Sequence, residues 1–600
     1  MAHRTLYVSP HGSNANDGAL ERPWGAIQHG IDQLTPGDTL SIRGGTYFER
    51  LHVDGAKVSG AQGAMITIRN HPGETVIVDG SRHPAFTEPF KLLQITDASY
   101  LRVEGITFCN NNTAHRGWHN TPEGIHVLAT PSGPGCRHVQ IVGNTVRDID
   151  GETWAYHHYD ADAQRHYGGM NGHGIAVYGR GAAPESAVTD LLIEGNEVCY
   201  CKCGSSESVV VNGNVDGFRI LRNYIHDNNN IGIDVIGGER VSAVRELNAA
   251  RNGVVAGNVV INNTGMANQV YEMGGGANGI YVDGGRDTVI EHNFVAGSNY
   301  GCEVGTENLG FDLSAGIIIR HNVFACNEDA SILLGGTEGA GDIVAERNTA
   351  YGDEGAPVCT NEGGNYVIRD NILIASAGQN CWDEYGDAKA ITFEGNVCHS
   401  DAERQLGIPA PVADAPGGDF TPIPAYAGKG ADIAALKQAV GAELYQKAVR
   451  NFAARTQATD VFRAVYAILN DPANKGSVEK PLDADALGGN IARYFESLPG
   501  VAGTGAIVGM KRSAECGKGL LDMTDDAFYE PSGYGSYYGQ ARCGKGEDGI
   551  IVPEATTRDN TVTGMRIYFR VPYAANGQIH YIDRQISDVC VRFRAERRDY

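Results

Sequence analysis

The sequence lacks several features that would mark other classes of protein. No run of 18 apolar residues occurs in the 600-residue chain, which argues against a transmembrane helix. Only 22 residues are proline, and the 80 glycines follow no three-residue period, which excludes collagen-like and proline-rich disordered chains. Basic residues number 48 against 72 acidic ones, so the net charge is −24 and no basic face for nucleic acid is evident. We expect a globular chain with no nucleic-acid or membrane partner.

The N-terminus and the cysteines add two further expectations. The first residues, Met-Ala-His-Arg-Thr-Leu-Tyr-Val, contain no apolar core of a signal peptide. We expect a secreted or periplasmic protein if a leader has been removed, and a cytoplasmic one otherwise. Most of the 13 cysteines, including Cys381 and Cys398, lie within or beside strand-like runs, where cysteine behaves as a small hydrophobic residue. Cys199, Cys201 and Cys203 have the spacing of alternate strand residues, and no second cluster supplies further ligands, so no metal is predicted there.

A repeat between about residues 100 and 400 accounts for the excess of glycine. Its most regular feature is an asparagine between two apolar strands, as in IEGNEV and IEHNFV. Most successive asparagines are 23–35 residues apart, which is typical of one coil of a solenoid. Because aligned asparagines can form side-chain ladders, we interpret them as structural. They are Asn144, Asn196, Asn223, Asn258, Asn293, Asn322, Asn348, Asn371 and Asn396.

Each coil carries a second short strand, for example GIDVIG at Gly232, GIYVDG at Gly279 and GCEVGT at Gly301. Strands this short are stable only when paired with the equivalent strand one coil away, at a spacing of about 4.8 Å. The sequence therefore predicts an all-β fold, a parallel β-helix of about 10–12 coils. An amphipathic helix around Trp24–Leu34 is predicted to cap its N-terminal end, and a smaller α+β region follows the solenoid.

Composition changes after about residue 405, where a Pro/Gly-rich stretch begins. We predict four regions along the chain. They are the β-helix with its cap over 1–405, a linker over 406–430, a helical segment over 431–500 and a small β-rich domain over 501–600.

Strand alternation separates inward from outward residues in these short strands. In the pattern Gly-Ile-x-Val-x-Gly, Ile and Val point inward and the two x positions point outward. Superposing the strands gives outward columns that carry acids only in three consecutive coils, at Asp234, Asp283 and Glu303. One of these columns also aligns Gly305 with Gly335. Carboxylates on adjacent rungs repel one another, and a structural sheet gains nothing from that arrangement. We therefore predict that these three residues are catalytic.

The spacing of the acids suggests glycoside chemistry. Asp283 and Glu303 are one rung and one outward step apart, about 8 Å at the backbone. Their side chains can reach either of the carboxylate separations used in retaining and inverting hydrolysis. Asp234, on the preceding rung, can raise the pKa of a neighbouring acid. The alternative is a solvated acidic face or a Ca²⁺ site with oxygen ligands, although no cofactor is required and no metal ligand is assigned.

Polar and aromatic residues near these acids are predicted to bind the sugar. Tyr178 and Tyr281 offer flat amphipathic rings, and the insertion between Gly151 and Gly172 is rich in His and Tyr. The predicted substrate-binding residues are Tyr281, Tyr178, His173, Asn212, Glu207, Arg286, Glu307, Trp154 and His158.

The opening stretch, from YVSPHGSNANDG to LSIRGGTYFERLHV, resembles right-handed parallel β-helix carbohydrate-active proteins. That group contains pectate-lyase-like polysaccharide lyases and β-helix glycoside hydrolases, and the resemblance covers about residues 5–400. It implies a right-handed solenoid. NGIYVDGG followed by GCEV also resembles the catalytic rungs of the β-xylosidases of glycoside hydrolase family 120. That resemblance implies that Asp283 is the nucleophile and Glu303 the acid/base.

Three functions stay open at this point. The favoured one is a glycoside hydrolase that acts on a poly- or oligosaccharide through Asp283 and Glu303. The second is a lyase or epimerase of a uronic-acid polymer, with His173, Tyr178 or Lys202 as base. Lyases of the family-9 type, which the chain resembles in fold, use a lysine base and Ca²⁺ held by clustered Asp, but lysine is scarce here. The third is a non-catalytic glycan-binding solenoid.

Overall fold

The structure is a computed structural model, and it divides the chain into two compact units, Met1–Ala448 and Val449–Tyr600, each described by itself. The four regions predicted from composition stay a prediction. The described residues are 3–82, 91–112, 121–151, 159–160, 165–166, 171–265, 268, 276–308, 310–311, 313–353, 355–470, 481–482, 497–505, 507–512, 528–529, 538–539, 561–575, 578–592 and 594–595.

The first unit is a stack of coils in which each strand pairs in parallel with its equivalent in the next coil. Every coil passes through three sheets in turn, called sheets 1, 2 and 3 in chain order. Eleven coils contribute a strand to all three sheets. This architecture confirms the parallel β-helix and lies within the predicted range of coils.

The bounds of the strands show how short each rung is. Sheet 1 contains Thr5–Val8, Thr39–Ile42, Ile66–Asn70, Leu101–Glu104, Cys136–Arg137, Val139–Val142, Val188–Glu194, Val215–Leu221, Arg251–Ala256, Thr288–Glu291, Ser314–Arg320, Ala340–Glu346, Gly363–Arg369 and Lys389–Glu394. Sheet 2 contains Gly45–Tyr47, Val76–Asp79, Ile106–Asn112, Thr145–Asp150, Glu197–Cys199, Tyr224–His226, Val259–Ile261, Phe294–Ala296, Val323–Ala325, Thr349–Tyr351, Ile372–Ile374 and Val397–His399. Sheet 3 contains Leu51–Asp54, Lys91–Thr96, Glu123–Ala129, His173–Gly179, Val209–Gly213, Ile233–Ile236, Asn278–Asp283, Tyr300–Thr306, Ala330–Thr337, Val358–Thr360 and Trp382–Glu384.

The remaining elements lie around and after the solenoid. The α-helices are Ile27–Ile31, Asp401–Gln405, Ile433–Val440 and Ala442–Asn470. Short 3₁₀ turns are Gly80–Arg82, Pro184–Ser186, Arg245–Leu247 and Pro424–Tyr426. Antiparallel pairs join Tyr159–Asp160 to Arg165–His166 and Val412–Asp414 to Asp419–Pro422. The second unit contains a five-stranded sheet of Ile507–Arg512, Phe528–Tyr529, Tyr538–Gly539, Thr561–Ala575 and Gln578–Arg592, and the parallel pair Pro481–Leu482 and Arg594–Ala595.

A continuous apolar core fills the interior of the solenoid, built from the inward Ile, Val, Leu and Phe residues of all three sheets. Sheet 3 begins at a corner that carries glycine in several coils, at Gly124, Gly174, Gly232, Gly279 and Gly301. A Cβ on Gly124 would lie 2.3 Å from a methyl of Val146, and one on Gly279 would lie 2.3 Å from a methyl of Val295. The recurrence of the Gly-Ile pattern along the chain thus reflects a close approach between sheets 2 and 3 rather than flexibility.

The nine repeated asparagines form the predicted ladder at the turn between sheets 1 and 2. From Asn144 to Asn396, each side-chain Nδ2 donates to the Oδ1 of the next asparagine at 2.9–3.2 Å. Each Oδ1 also accepts a backbone N–H, and each Nδ2 donates to a backbone carbonyl, as Asn293 does to Val255 O at 2.9 Å. Because every polar group of these buried amides is satisfied, the structural interpretation is confirmed.

The predicted N-terminal cap is present but short. Helix Ile27–Ile31 buries Ile27, Gly30 and Ile31 over the first coil. A Cβ on Gly30 would lie 2.8 Å from Leu40 and 2.9 Å from Val8, so the helix packs directly on the core. Residues 24–26, at the start of the predicted helix, are not helical, and a turn at residues 32–33 follows the observed helix.

The cysteines correct one expectation. Cys381 and Cys398 form a disulfide across the last coil, with Cα atoms 5.9 Å apart, so they are not simple hydrophobic residues. Sequence spacing could not show this, because Cys381 directly precedes a strand of sheet 3 whereas Cys398 lies on a strand of sheet 2. Cys199, Cys201 and Cys203 are buried and form no disulfide within the described residues. No helix in the described part of the chain has the length and apolar character needed to cross a membrane.

Removing one amide from the ladder should destabilise the fold. Asn293→Ala leaves the carbonyl of Val255 and the N–H of Asn258 without their partners, at a cost of roughly 2–5 kcal/mol. We expect the Tm of the full chain, followed by circular dichroism, to fall by several degrees. Asn380→Ala, which removes an exposed asparagine bonded only to Asp383, is the control. Equal Tm values for the two variants would contradict the ladder as a source of stability.

Candidate active site

The outward face of sheet 3 has the register that the sequence predicts. Asp234 lies opposite Tyr281, and Tyr281 lies opposite Glu303 on the next rung. In the neighbouring column Asp283 lies opposite Gly305. The three acids therefore occupy consecutive rungs of one face.

One position of the predicted column is wrong. Gly305 pairs with Gly336 rather than Gly335, because the strand is bulged between Val304 and Gly305. The bulge places Gly336 directly beside an acid: a Cβ on Gly336 would lie 1.8 Å from Glu303 Oε1. The glycine therefore makes the space that the Glu303 carboxylate occupies.

Six carboxyl groups gather here, and we call them the acidic cluster: Asp234, Asp283, Glu303, Glu207, Glu239 and Glu307. The three residues on the rungs are deeply buried, with exposed fractions of 2% for Asp234, 4% for Asp283 and 7% for Glu303. The outward columns are therefore not an open acidic surface. Burial and mutual repulsion together favour the protonated forms.

The pKa values reflect this environment. Burial, followed by the charge of Glu307, raises the pKa of Asp283 to about 8. Burial raises the pKa of Glu303 to about 7, although a hydrogen bond from the Asn278 side chain opposes the shift. Both groups thus titrate close to neutral pH, which is the range expected for acid–base catalysts.

The other acids shift in the same direction. Burial, and then the charge of Glu207, raises the pKa of Asp234 well above its ordinary value. Burial, and then Glu239, does the same to the pKa of Glu207. Burial also raises the pKa of Glu307, but its side chain lies at the exposed edge of the cluster, where water screens its charge. The cluster holds fewer negative charges at neutral pH than its six carboxyl groups suggest.

Few polar contacts offset the repulsion. The Glu307 backbone N–H donates to Asp283 Oδ1 at 2.7 Å, and Asn212 Nδ2 donates to Glu239 Oε2 at 2.6 Å. Asp234 Oδ1 is buried without a hydrogen-bond partner in the described structure. A substrate hydroxyl could satisfy such an oxygen, whereas the protein itself leaves its desolvation cost uncompensated.

A second group of titratable side chains lies on earlier rungs of the same face. The Lys91 ammonium contacts Glu123, and the other oxygen of Glu123 accepts from His126 Nδ1. The His126 ring stacks on the Tyr178 ring, with centroids 5.6 Å apart and planes 12° apart. Burial would raise the pKa of Glu123, but His126 and Lys91 outweigh it, so that pKa lies below its ordinary value. We call these three residues the Lys91–Glu123–His126 array.

Predicted residues His173 and Tyr178 connect the array to the acidic cluster. His173 Nδ1 lies 3.0 Å from the Glu207 carbonyl oxygen, and the Tyr178 hydroxyl lies 3.4 Å from His173 Nε2. Burial lowers the pKa of His173 to about 4, so the ring is neutral, Nδ1 donates to the carbonyl and Nε2 accepts from Tyr178. The two predicted residues are thus brought together with Glu207.

The sequence did not single out Lys91, Glu123 and Asn278, which occupy a third outward column. The column lies immediately before a corner glycine at Glu123 and Asn278, and immediately before Leu92 at Lys91. Glu123 pairs with Lys91 and His173, and Asn278 pairs with Tyr300. A polar residue directly before Gly-Ile was the signal that could have revealed Glu123 and Asn278.

Other predicted residues are placed differently. Tyr281 is almost fully buried between Asp234 and Glu303 in the register, and one face of Tyr178 is taken by His126, so neither ring is an open platform for a sugar. Arg286 lies on the turn from sheet 3 to sheet 1, where its amide donates to Ala250 O. Trp154 and His158 lie outside the described residues.

Two alternatives from the sequence find no matching geometry. Lys202 lies at the end of sheet 2, 3.6 Å from Asp150, rather than on the face of sheet 3. Across the described ranges, no three His, Cys, Asp or Glu side chains are arranged to hold a metal ion. The described residues therefore do not fit the Ca²⁺ site of family-9 lyases.

Comparisons with known proteins agree with this architecture. Residues 6–198 match the family described as Pel9A-like, right handed beta helix region. The chain is 33% identical over 410 residues to the uncharacterized protein YwoF of Bacillus subtilis (strain 168), covering 66% of this chain and 81% of YwoF. It is 40% identical over 114 residues to pectate lyase PEL9 of Emericella nidulans, a match that spans 18% of this chain and only 28% of that lyase.

Two solved structures are similar in fold. Pectate lyase Pel9A matches with a TM-score of 0.38 and 12% identity over 70% of this chain and 83% of that one. A GH136 lacto-N-biosidase from Eubacterium ramulus matches with a TM-score of 0.44 and 16% identity over 66% and 68%. By its first coils and by its likeness to most of YwoF, the chain belongs to the Pel9A-like family of right-handed β-helix proteins.

Proposed function

We propose that this member of a β-helix family of carbohydrate-active enzymes is a glycoside hydrolase, with Asp283 and Glu303 as its acid–base pair. The observation that carries the proposal is the presence of two buried carboxyl groups on adjacent rungs whose pKa values both lie near neutrality. Glycoside hydrolysis needs one carboxylic acid and one carboxylate on either side of the scissile bond. A solenoid face has no structural need for either.

The two groups divide the work by sharing one proton. The protonated member donates to the leaving oxygen, and the ionised member attacks the anomeric carbon or activates water. The resemblance to family 120 implies that Asp283 is the nucleophile. The pKa of Asp283 is higher than that of Glu303, however, so in the free protein Asp283 is the first of the two to be protonated as the pH falls. Asp234 lies on the preceding rung, and the charge of Asp283 is among the causes that raise its pKa. Chemical rescue by azide distinguishes which of the two residues is the nucleophile.

A second candidate is β-elimination on a uronic-acid polymer. The contact between Tyr178 and neutral His173 favours it, because a tyrosine hydroxyl beside a neutral imidazole can transfer a proton without a metal. Lys202 is not part of this candidate, since it lies on sheet 2.

Substituting either acid should abolish hydrolysis. We expect Asp283→Asn and Glu303→Gln each to lower reducing-end release on a panel of poly- and oligosaccharides by about 10²–10⁴-fold. Asp383→Asn is the matched control, because Asp383 stands three rungs beyond Glu303 in the same outward column. Azide should restore turnover of Asp283→Ala if Asp283 is the nucleophile, and of Glu303→Ala if the roles are reversed. Near wild-type rates for both acid variants on every cleaved glycan would refute the proposal.

The pH dependence should follow the shared proton. With pKa values of about 7 and about 8, the pair carries one proton mainly between those two pH values. Activity should therefore peak there, fall at lower pH as the second carboxyl is protonated and fall at higher pH as the last proton leaves. Initial rates at constant ionic strength from about pH 5 to about pH 10 test this. An optimum near pH 4 would contradict the raised pKa values.

The same shifts affect stability. The folded pKa values exceed the ordinary carboxyl values, so the folded state binds more protons than the unfolded state and loses stability as pH rises from about 4 to about 8. Asp283→Asn removes one of the repelling charges and should raise the Tm at pH 8 by a few degrees, equivalent to about 1 kcal/mol or more. At pH 4 the gain should be much smaller. Thermal scans of the wild type and of Asp283→Asn at both pH values measure this difference. An equal gain in Tm at pH 4 and pH 8 would show that charge repulsion does not cause the stabilisation.

A further inference from the structure

The Lys91–Glu123–His126 array is a second buried titratable site that the hydrolytic pair does not use. His126 shares its outward column with Asp234 but stands three rungs earlier, about 14 Å away along the solenoid. All three members of the array are buried, and Glu123 keeps only 2% of its surface exposed. They lie on the same outward face of sheet 3 as the acidic cluster.

The contacts of Glu123 fix the state of the His126 ring. An ionised carboxylate can only accept, so His126 Nδ1 carries the proton that it donates to Glu123. The other ring nitrogen, Nε2, points away from this carboxylate contact and has no hydrogen-bond partner within the described ranges. A carboxylate that orients an imidazole in this way is the usual device for presenting a general base.

The array is poorly explained as a structural element. A buried ion pair is commonly no more stabilising than apolar residues of the same size. On the next two rungs the same column carries Ala176 and Val210, which are buried apolar residues and have no charge to compensate. Lys91 is further held by the Thr121 carbonyl at 3.3 Å, so the charges are fixed in place rather than left to move.

Tyr178 supplies an acid next to this base. Its ring stacks on the His126 ring, and burial raises its pKa well above the ordinary value, so the hydroxyl stays protonated. The 3.4 Å contact to His173 Nε2 is long for a hydrogen bond, which leaves the hydroxyl able to turn toward a ligand.

We propose that His126 and Tyr178 form a second reaction centre that carries out β-elimination on uronic-acid residues whose O4 is equatorial. This inference rests on the second candidate function above. His126 Nε2 removes the C5 proton, the C5–H electron pair becomes the C4–C5 double bond, and the C4–O4 bond breaks. Tyr178 gives its proton to the leaving O4, and the proton on His126 returns to the phenolate through solvent, so no co-reactant is consumed.

The substrate class follows from the position of the two groups. Base and acid project from the same face of one sheet, so they reach the sugar from one side and favour syn elimination. In glucuronate and mannuronate residues H5 and the equatorial O4 lie on the same side of the ring. In galacturonate the axial O4 lies opposite H5. The centre should therefore act on polyglucuronate or polymannuronate and not on polygalacturonate.

The test uses the full-length protein with these three polymers and follows the unsaturated product by its absorbance near 235 nm. We expect product from polyglucuronate or polymannuronate, and at least a 100-fold lower rate for His126→Asn and for Tyr178→Phe. His138→Asn is the matched control, because His138 Nδ1 likewise contacts a carboxylate, that of Asp190, but in a pair that lies at sheet 1. Circular dichroism and Tm establish that each variant is folded. Tyr178→Phe keeps the stacked ring and provides a second variant if His126→Asn does not fold.

The outcomes separate this proposal from the hydrolase. Absorbance that survives Asp283→Asn and is lost with His126→Asn supports a separate centre. Absorbance from polygalacturonate alone, no absorbance from any of the three polymers, or full activity of His126→Asn would overturn it. Reducing-end release without absorbance, lost in Asp283→Asn, would support the hydrolase and count against the second centre.

Discussion

Parallel pairing of equivalent strands from coil to coil is the constraint on which the rest of the molecule depends. It places each residue about 4.8 Å from its counterpart in the next coil, so that any side chain recurring at one position becomes part of a column. Inward columns of Ile and Val become a continuous core. The asparagine column becomes a ladder, because an amide both donates and accepts and can satisfy the identical group above it. Glycine is fixed at the corner of sheet 3 because sheet 2 leaves no room for a Cβ there.

The same stacking is unfavourable for carboxyl groups, which repel at that spacing. The protein tolerates Asp234, Asp283 and Glu303 on consecutive rungs and also buries them, and their pKa values rise as a result. Along the same face, the pKa of Glu123 is lowered instead of raised, because Lys91 and His126 compensate its charge. One sheet therefore presents two environments: an uncompensated acidic cluster that holds protons near neutral pH, and a compensated array that holds an imidazole in one orientation. The family match over residues 6–198 includes the array but ends before Glu207, and a fold does not determine a reaction.

Much of this could be predicted from the sequence. The repeat gave the solenoid, the alternation within Gly-Ile-x-Val-x-Gly gave the outward columns, and the register of Asp234, Tyr281 and Glu303 is the predicted one. These features are local or periodic, so spacing along the chain carries them. The third outward column was missed because it depends on how a corner glycine meets the neighbouring sheet. The pairing of Gly305 with Gly336 was missed because a bulge shifts the register by one residue.

The sequence by itself determined the coil period, the asparagine ladder and the three rungs on which acids meet, because a repeating chain fixes what stacks on what. Only the tertiary structure decided that those acids are buried, that Lys91 and Glu123 hold His126, and that Cys381 joins Cys398. Burial and pairing of charges depend on residues from different coils and different sheets. Their distances are set by the closure of each coil, which no spacing along one strand encodes.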